Sequence, residues 1–150
     1  MSELSELYQE LILDHNRRPR NFGELDGATC RAQGHNPLCG DRIDVAARIE
    51  ADVIRDVRFT GSGCAISKAS ASLMTEAVRD RGVAEALQLF DRFQAMITTP
   101  ADQPVELESV GKLSVFAGVR EFPMRVKCAT LAWHTLKAAI VRNGGVVQTE

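Results

Sequence analysis

The chain has few aromatic residues and no excess of charge of either sign. Phe, Trp and Tyr make up 5% of its 150 residues, and 18 basic side chains stand against 20 acidic ones, so the formal net charge is −2. Nucleic-acid binding needs surplus cations to contact phosphates, and single-stranded nucleic acids also need aromatic side chains on which bases stack. The sequence therefore argues against a nucleic-acid partner.

Long hydrophobic runs are also missing. No apolar stretch approaches the roughly 20 residues that cross a bilayer. The segment MSELSELYQELILDH lacks the basic region and apolar run of a secretory signal. We therefore expect a cytoplasmic protein without a membrane partner. With 45% hydrophobic residues, the length and composition fit one domain with its own core, spanning residues 1–150.

The hydrophobic periodicity predicts an α+β fold. Apolar residues at helical spacing in residues 4–12 predict a first helix. Alternation over 41–51, repeated more weakly over 53–59, predicts an antiparallel hairpin, and 29–36 fits an edge strand. Further helices are predicted downstream, separated by a polar surface segment at 98–112. We expect about three antiparallel strands with helices packed on them.

Four cysteines in a cytoplasmic chain favour metal ligands or reactive thiols over disulfides. Cys39 and Asp41 are two residues apart at the start of a strand, so their side chains point to the same side. If the hairpin turns near Ala51, Asp41 pairs with roughly Gly61. Cys64 then emerges at the same end of the sheet, at the start of a helix whose N-terminus favours a thiolate.

The fourth ligand is less directly indicated. Cys128 lies in the first turns of the C-terminal helix, away from the centre of its apolar stripe, and a buried inert cysteine remains an alternative. Cys30 competes with Asp41, but an extended path would separate Cys30 from Cys39 by about 30 Å, so we interpret Cys30 as a structural strand residue. Three thiolates and one carboxylate suit tetrahedral zinc and are typical of a reactive site more than of a structural clamp.

The three histidines are weaker candidates. His15 is interpreted as a helix C-cap, His35 as a turn residue near the site, and His134 as lying on a different helix face from Cys128. None is a preferred ligand.

Several spaced motifs resemble the U-type iron–sulfur cluster assembly proteins, particularly the SufU branch. They are LYQELILDHNRRPRN at 7–21, NPLCGDRI at 36–43, FTGSGCAISKASASLMT at 59–75 and FPMRVKCATLAWHTL at 122–136. The resemblance implies the α+β fold of SufU and IscU proteins. It also implies a metal site at the matching residues, Cys39, Asp41, Cys64 and Cys128.

Two features favour SufU over the scaffold branch, IscU. Lys127 precedes the last cysteine, where the scaffold branch carries histidine, and the 98–112 insertion resembles that of SufU-like chains. The resemblance implies a zinc-dependent sulfurtransferase that takes persulfide sulfur at Cys39 from a SufS-type cysteine desulfurase and works with downstream iron–sulfur assembly proteins. Arg125 matches a position beside the site and is a candidate to stabilise the thiolate or persulfide. The alternatives are a scaffold that holds iron or a [2Fe–2S] cluster, and a purely structural zinc domain.

Overall fold

The computed structural model describes residues 3–148, with helices and strands in mixed order. The elements are α1 (Glu3–Arg17), β1 (Cys30–Asn36), β2 (Asp41–Glu50), β3 (Val53–Ser62), α2 (Ala65–Val78), α3 (Val83–Thr98), a 3-10 segment (Glu108–Glu121), α4 (Pro123–Arg142) and β4 (Val146–Gln148). Within these residues, no helix is both long and apolar enough to span a membrane. The predicted α+β class is confirmed.

The four strands form one mixed sheet in the order β3-β2-β1-β4. The pairings of β1 with β2 and of β2 with β3 are antiparallel, as predicted, whereas β4 runs parallel to β1. The short β4 places β1 inside the sheet and not at its edge. β4 has only three residues and follows Gly144 and Gly145. Three residues are too few to show an alternating hydrophobic pattern, so the sequence did not predict this strand.

The β2–β3 hairpin differs in register from the prediction. Its turn residues, Ala51 and Asp52, both have positive φ (50° and 61°), as in the two-residue turns that match strand twist. A register shift between Arg48 and Ile49 adds an irregularity near the turn. Gly61 consequently faces Ile43 and not Asp41. The predicted pairing was wrong by two residues, yet Cys64 still emerges at the end of the sheet where Asp41 begins β2.

The helices cover the apolar face of the sheet. Along β2, Ile43, Val45 and Ala47 are buried and belong to the same core as Trp133 on α4. At Gly34 in β1, an added Cβ would collide with Thr135 on α4, so the missing side chain allows close contact between this helix and the strand. This packing fixes α4 along β1 and brings the start of the helix to the β1–β2 turn.

Candidate metal centre

The turn between β1 and β2 carries two of the predicted ligands. The backbone N–H of Gly40 donates to the carbonyl oxygen of Asn36 across 2.9 Å, and Gly40 has φ of +71°, a conformation that favours glycine. The turn leaves Cys39 exposed and directs Asp41, the first residue of β2, into a fully buried position. The two side chains converge: the Cys39 thiol donates to Oδ2 of Asp41 across 3.1 Å.

Cys128 completes a compact group of three. Its Sγ lies 3.2 Å from Sγ of Cys39, and the ligand atoms of Cys39, Asp41 and Cys128 all lie within 4.8 Å of one another. With Zn–S bonds of about 2.3 Å, two thiolates on tetrahedral zinc have sulfurs about 3.8 Å apart. The observed separation is close to this value, so small side-chain rotations suffice for both sulfurs to bind one ion.

Cys64 lies beside this group but is not one of the three residues whose ligand atoms lie within 4.8 Å of one another. It is the N-cap of α2, and its backbone N–H donates to Oδ1 of Asp41 across 2.8 Å. Its thiol is 3.6 Å from Oδ2 of Asp41, while its sulfur accepts the N–H of Ser67 at 3.4 Å. Asp41 is therefore contacted from both Cys39 and Cys64, and all four predicted ligands meet at one end of the sheet.

Burial and the Asp41 carboxylate oppose ionisation of two of these thiols in the absence of a cation. Although Cys39 is exposed, partial desolvation of its thiol raises its pKa, and the hydrogen bond to Asp41 adds to this effect. Burial also raises the pKa of Cys128 far above the usual thiol range, with Asp41 and Cys39 as further causes. Among residues 6–148, none of the ion pairs involves Asp41. A buried acidic group without a protein cation fits a bound metal ion, which reverses these effects by stabilising thiolates.

The cysteines open onto a cleft of about 560 Å³ between α1, α2 and α4. Three of its lining residues are Cys39, Cys64 and Cys128, and most of the others are apolar. Arg125 also lines this cleft, is exposed, and holds its guanidinium 4.9 Å from the centre of the Phe122 ring. The predicted neighbour of the site therefore lies at the same opening as the thiols.

Sequence reasoning missed Asn36, the last residue of β1. Its side chain is buried, its Oδ1 accepts the N–H of Leu38 at 3.1 Å, and its Nδ2 lies 3.9 Å from Sγ of Cys128. An Asn that precedes Pro37 is a recognisable turn signal. The contact of Asn36 with α4 joins residues 92 positions apart, and no local sequence pattern predicts it.

Cys30 lies outside the group. It begins β1 at the opposite end from Asn36, about 20 Å away along an extended strand. Its buried thiol points to the carbonyl oxygen of Ala47 at 3.8 Å. This position agrees with the interpretation of Cys30 as a structural residue.

The histidine interpretations need correction at two positions. His15 is buried and not a C-cap, because its Nδ1 hydrogen-bonds Oγ of Ser72 at 2.7 Å. His35 lies within β1 and not in a turn. His134 stacks edge-on against Phe90, 5.1 Å between ring centres, and is not one of the compact group of ligands.

Comparisons with known proteins give a consistent assignment. The model of the NifU-like N-terminal domain matches residues 7–129. An iron–sulfur cluster assembly scaffold protein IscU from Streptococcus pyogenes serotype M1 is 43% identical over 95% of this chain and 88% of its own length. The zinc-dependent sulfurtransferase SufU from Bacillus subtilis (strain 168) is 37% identical over 96% of both chains.

A solved structure agrees with these relatives. It is from Fervidobacterium islandicum AW-1 and is assigned as an iron–sulfur cluster assembly scaffold protein for the SUF system. It superposes with a TM-score of 0.81 at 32% identity, and the match covers 90% of this chain and 97% of that one. The family resemblance carried by the four sequence motifs is confirmed. The chain belongs to the NifU-like N-terminal domain family.

Proposed function

We propose that this protein acts in iron–sulfur cluster assembly as a zinc-dependent sulfurtransferase in the cytoplasm, where thiols stay reduced. In this proposal Cys39, Asp41, Cys64 and Cys128 hold the zinc ion, and Cys39 accepts sulfur from a SufS-type cysteine desulfurase. The observation that carries the proposal is the convergence of three thiols, which line an open cleft, on the buried carboxylate of Asp41. The similarity to the B. subtilis protein named as a zinc-dependent sulfurtransferase supports it.

The proposed ligand set explains how a thiol in this site becomes reactive. Zinc, when bound, stabilises the thiolate forms that burial and Asp41 otherwise oppose. The Cys39 thiolate attacks the terminal sulfur of the persulfide on the desulfurase cysteine. An S–S bond forms between Cys39 and that sulfur as the S–S bond of the donor breaks, and the donor cysteine leaves as a thiolate. The terminal sulfur is thereby carried as a persulfide on Cys39 for downstream iron–sulfur assembly proteins.

Cys39 is the best-placed acceptor of the two closest thiols. It is exposed on the turn, whereas Cys128 is buried in α4. Arg125 lines the cleft beside both, and its permanent positive charge suits stabilisation of the persulfide anion. We expect Arg125→Leu to slow sulfur transfer without releasing zinc, because the guanidinium is not a metal ligand.

The decisive test combines metal analysis with persulfide mapping. Purified protein should contain one zinc per chain, and incubation with a SufS-type desulfurase and cysteine should add 32 mass units of sulfur at Cys39, as about one atom per chain. Cys39→Ala should abolish stimulation of desulfurase turnover. Cys30→Ala is the matched control, because it removes a thiol that lies far from the site. Undiminished stimulation by Cys39→Ala would contradict the assignment of the acceptor.

A scaffold role is the second candidate, favoured by the 43% identity to the S. pyogenes protein named IscU. The same thiolates suit iron or a [2Fe–2S] cluster, so the ligand set does not separate the two functions. Anaerobic reconstitution with ferrous iron and sulfide separates them. A stable coloured cluster that transfers to an apo-ferredoxin would favour the scaffold, and tightly held zinc with no stable cluster would favour the sulfurtransferase.

A further inference from the structure

The side chain of Asn36 connects two parts of the chain that carry proposed ligands. Asn36 ends β1, immediately before the turn that holds Cys39, and it is 1% exposed. Its amide also reaches Cys128 on α4, 92 positions further along the chain. A buried polar side chain in such a position is retained only where its hydrogen-bonding groups find partners.

The hydrogen bonds define which way the amide faces. The backbone N–H of Leu38 can only donate, so the atom that accepts it, 3.1 Å away, is Oδ1 of Asn36. The Nδ2 amino group then faces Sγ of Cys128 at 3.9 Å. The bond to Leu38 closes an Asx turn, and the Asn36 carbonyl oxygen accepts the N–H of Gly40 in the same loop. The residue therefore orders the Cys39 turn and offers an N–H donor to Cys128.

This donor distinguishes the two sulfurs that lie 3.2 Å apart. A hydrogen bond donated to a metal-bound thiolate stabilises its negative charge and lowers its basicity, which makes the thiolate a weaker nucleophile. A thiolate accepts such a bond more strongly than a thiol, so the Asn36 contact tightens when Cys128 binds a metal ion. Both cysteines line the cleft, and the Asn36 amino group points to Cys128.

We propose that Asn36 is a positioning residue that keeps Cys128 as a retained metal ligand and thereby directs sulfur chemistry to Cys39. The inference rests on the metal site of the proposed function. The Asn36 side chain orders the Cys39 turn, and it also makes the two neighbouring thiolates unequally reactive.

The hydrogen bond can be observed directly in the unmodified protein. ¹⁵N-labelled protein is loaded with ¹¹³Cd²⁺, a spin-active substitute for zinc, and cadmium stoichiometry is measured separately. We expect a downfield-shifted Asn36 side-chain proton that is coupled to ¹¹³Cd through the Cys128 sulfur. One bound cadmium without this coupling would overturn the role of Asn36 and leave the metal site standing. Failure to bind cadmium would overturn both proposals.

A variant tests the chemical consequence. Asn36→Asp keeps the acceptor for the Leu38 N–H but replaces the donor that faces Cys128 with an oxygen. Iodoacetamide labelling of the zinc-loaded protein, read by mass spectrometry, should show the Cys128 rate rising on the order of tenfold relative to the Cys39 rate. Asn21→Asp is the control, because the Asn21 amide instead donates to Oγ1 of Thr75 at 3.0 Å.

Two labelling results would overturn the inference. An unchanged ratio of Cys128 to Cys39 labelling in Asn36→Asp would show that the donor does not protect Cys128. An equal rise in the labelling rate of all cysteines would show that the substitution loosens the fold in general. Asn36 would then have a structural role only. If Asn36→Asp does not fold, the cadmium coupling in the unmodified protein decides.

Discussion

Gly63 lies against the carboxylate at the centre of the proposed site. A Cβ added at this residue would stand 2.5 Å from Oδ1 of Asp41, 3.0 Å from its Cγ and 3.2 Å from its Cα. Asp41 is short and fully buried, and its Oδ1 already accepts the N–H of Cys64. It therefore cannot swing away as a long surface side chain would. We predict that Gly63→Ala displaces the carboxylate and weakens metal binding.

The expected magnitude follows from the overlap. Restoring an ordinary contact between the new methyl group and Oδ1 requires a shift of roughly 1 Å, whereas metal–ligand distances tolerate only about 0.2 Å. Disturbance of groups that orient ligands typically costs about 10–100-fold in metal affinity, and we expect a loss in this range. Overpacking should also lower the free energy of unfolding of the metal-free protein by about 1–3 kcal/mol.

Zinc affinity is measured by competition with a chromophoric chelator, and stability by urea unfolding of metal-free protein. Gly118→Ala is the matched control, because a Cβ at Gly118 meets nothing within 4 Å and its φ is not in the positive region. The control should bind zinc as the unmodified protein does. Zinc affinity of Gly63→Ala within about threefold of the unmodified protein would refute the reasoning, since about 1 Å of displacement cannot leave a tetrahedral site intact.

Three further outcomes are expected. Burial lowers the pKa of His15, so its contribution to stability is complete above the unfolded pKa of about 6.5 and is lost as pH falls through the folded pKa. In urea unfolding of metal-free protein, the free energy of unfolding should thus fall less steeply between pH 7 and 5 in His15→Asn than in the unmodified protein. An identical pH dependence in the two proteins would contradict this. Gly34→Ala, whose Cβ collides with Thr135, should lower the free energy of unfolding by about 1–3 kcal/mol in the same assay, and an unchanged midpoint would contradict close packing of α4 on β1. Removing zinc held at about 100 times its dissociation constant should cost about 2.7 kcal/mol, visible in calorimetry as a lower unfolding temperature.

Local patterns predicted the elements that build the site. Alternation in β2 and β3 identified the hairpin, and the spacing of Cys39 and Asp41 at the start of a strand identified two candidate ligands. The error in the hairpin register came from the irregularity near Arg48 and from a turn at Ala51 and Asp52. Because Cys64 follows the last residue of β3, Ser62, by only two positions, this error did not move Cys64 to the other end of the sheet.

Long-range contacts limited the rest of the prediction. The partner of His15 is Ser72, 57 positions away, and the partner of Asn36 is Cys128, 92 positions away. Tertiary packing of helices creates such contacts, and no periodicity within one segment encodes them. Cys128 entered the predicted ligand set through the family motifs, since its helical position alone left a buried inert cysteine as an alternative.

The distribution of the proposed ligands along the chain has a consequence for how the protein matures. Cys39 lies on the β1–β2 turn, Asp41 begins β2 and Cys64 is the N-cap of α2, so a partly folded chain with these elements can already offer three of the proposed ligands. Cys128 joins only when α4 docks on β1, which is a non-local and therefore slow event. Metal that reaches the chain early would bind loosely and exchange. If the proposed site binds metal, tight binding would therefore report that α4 has docked and that folding is complete.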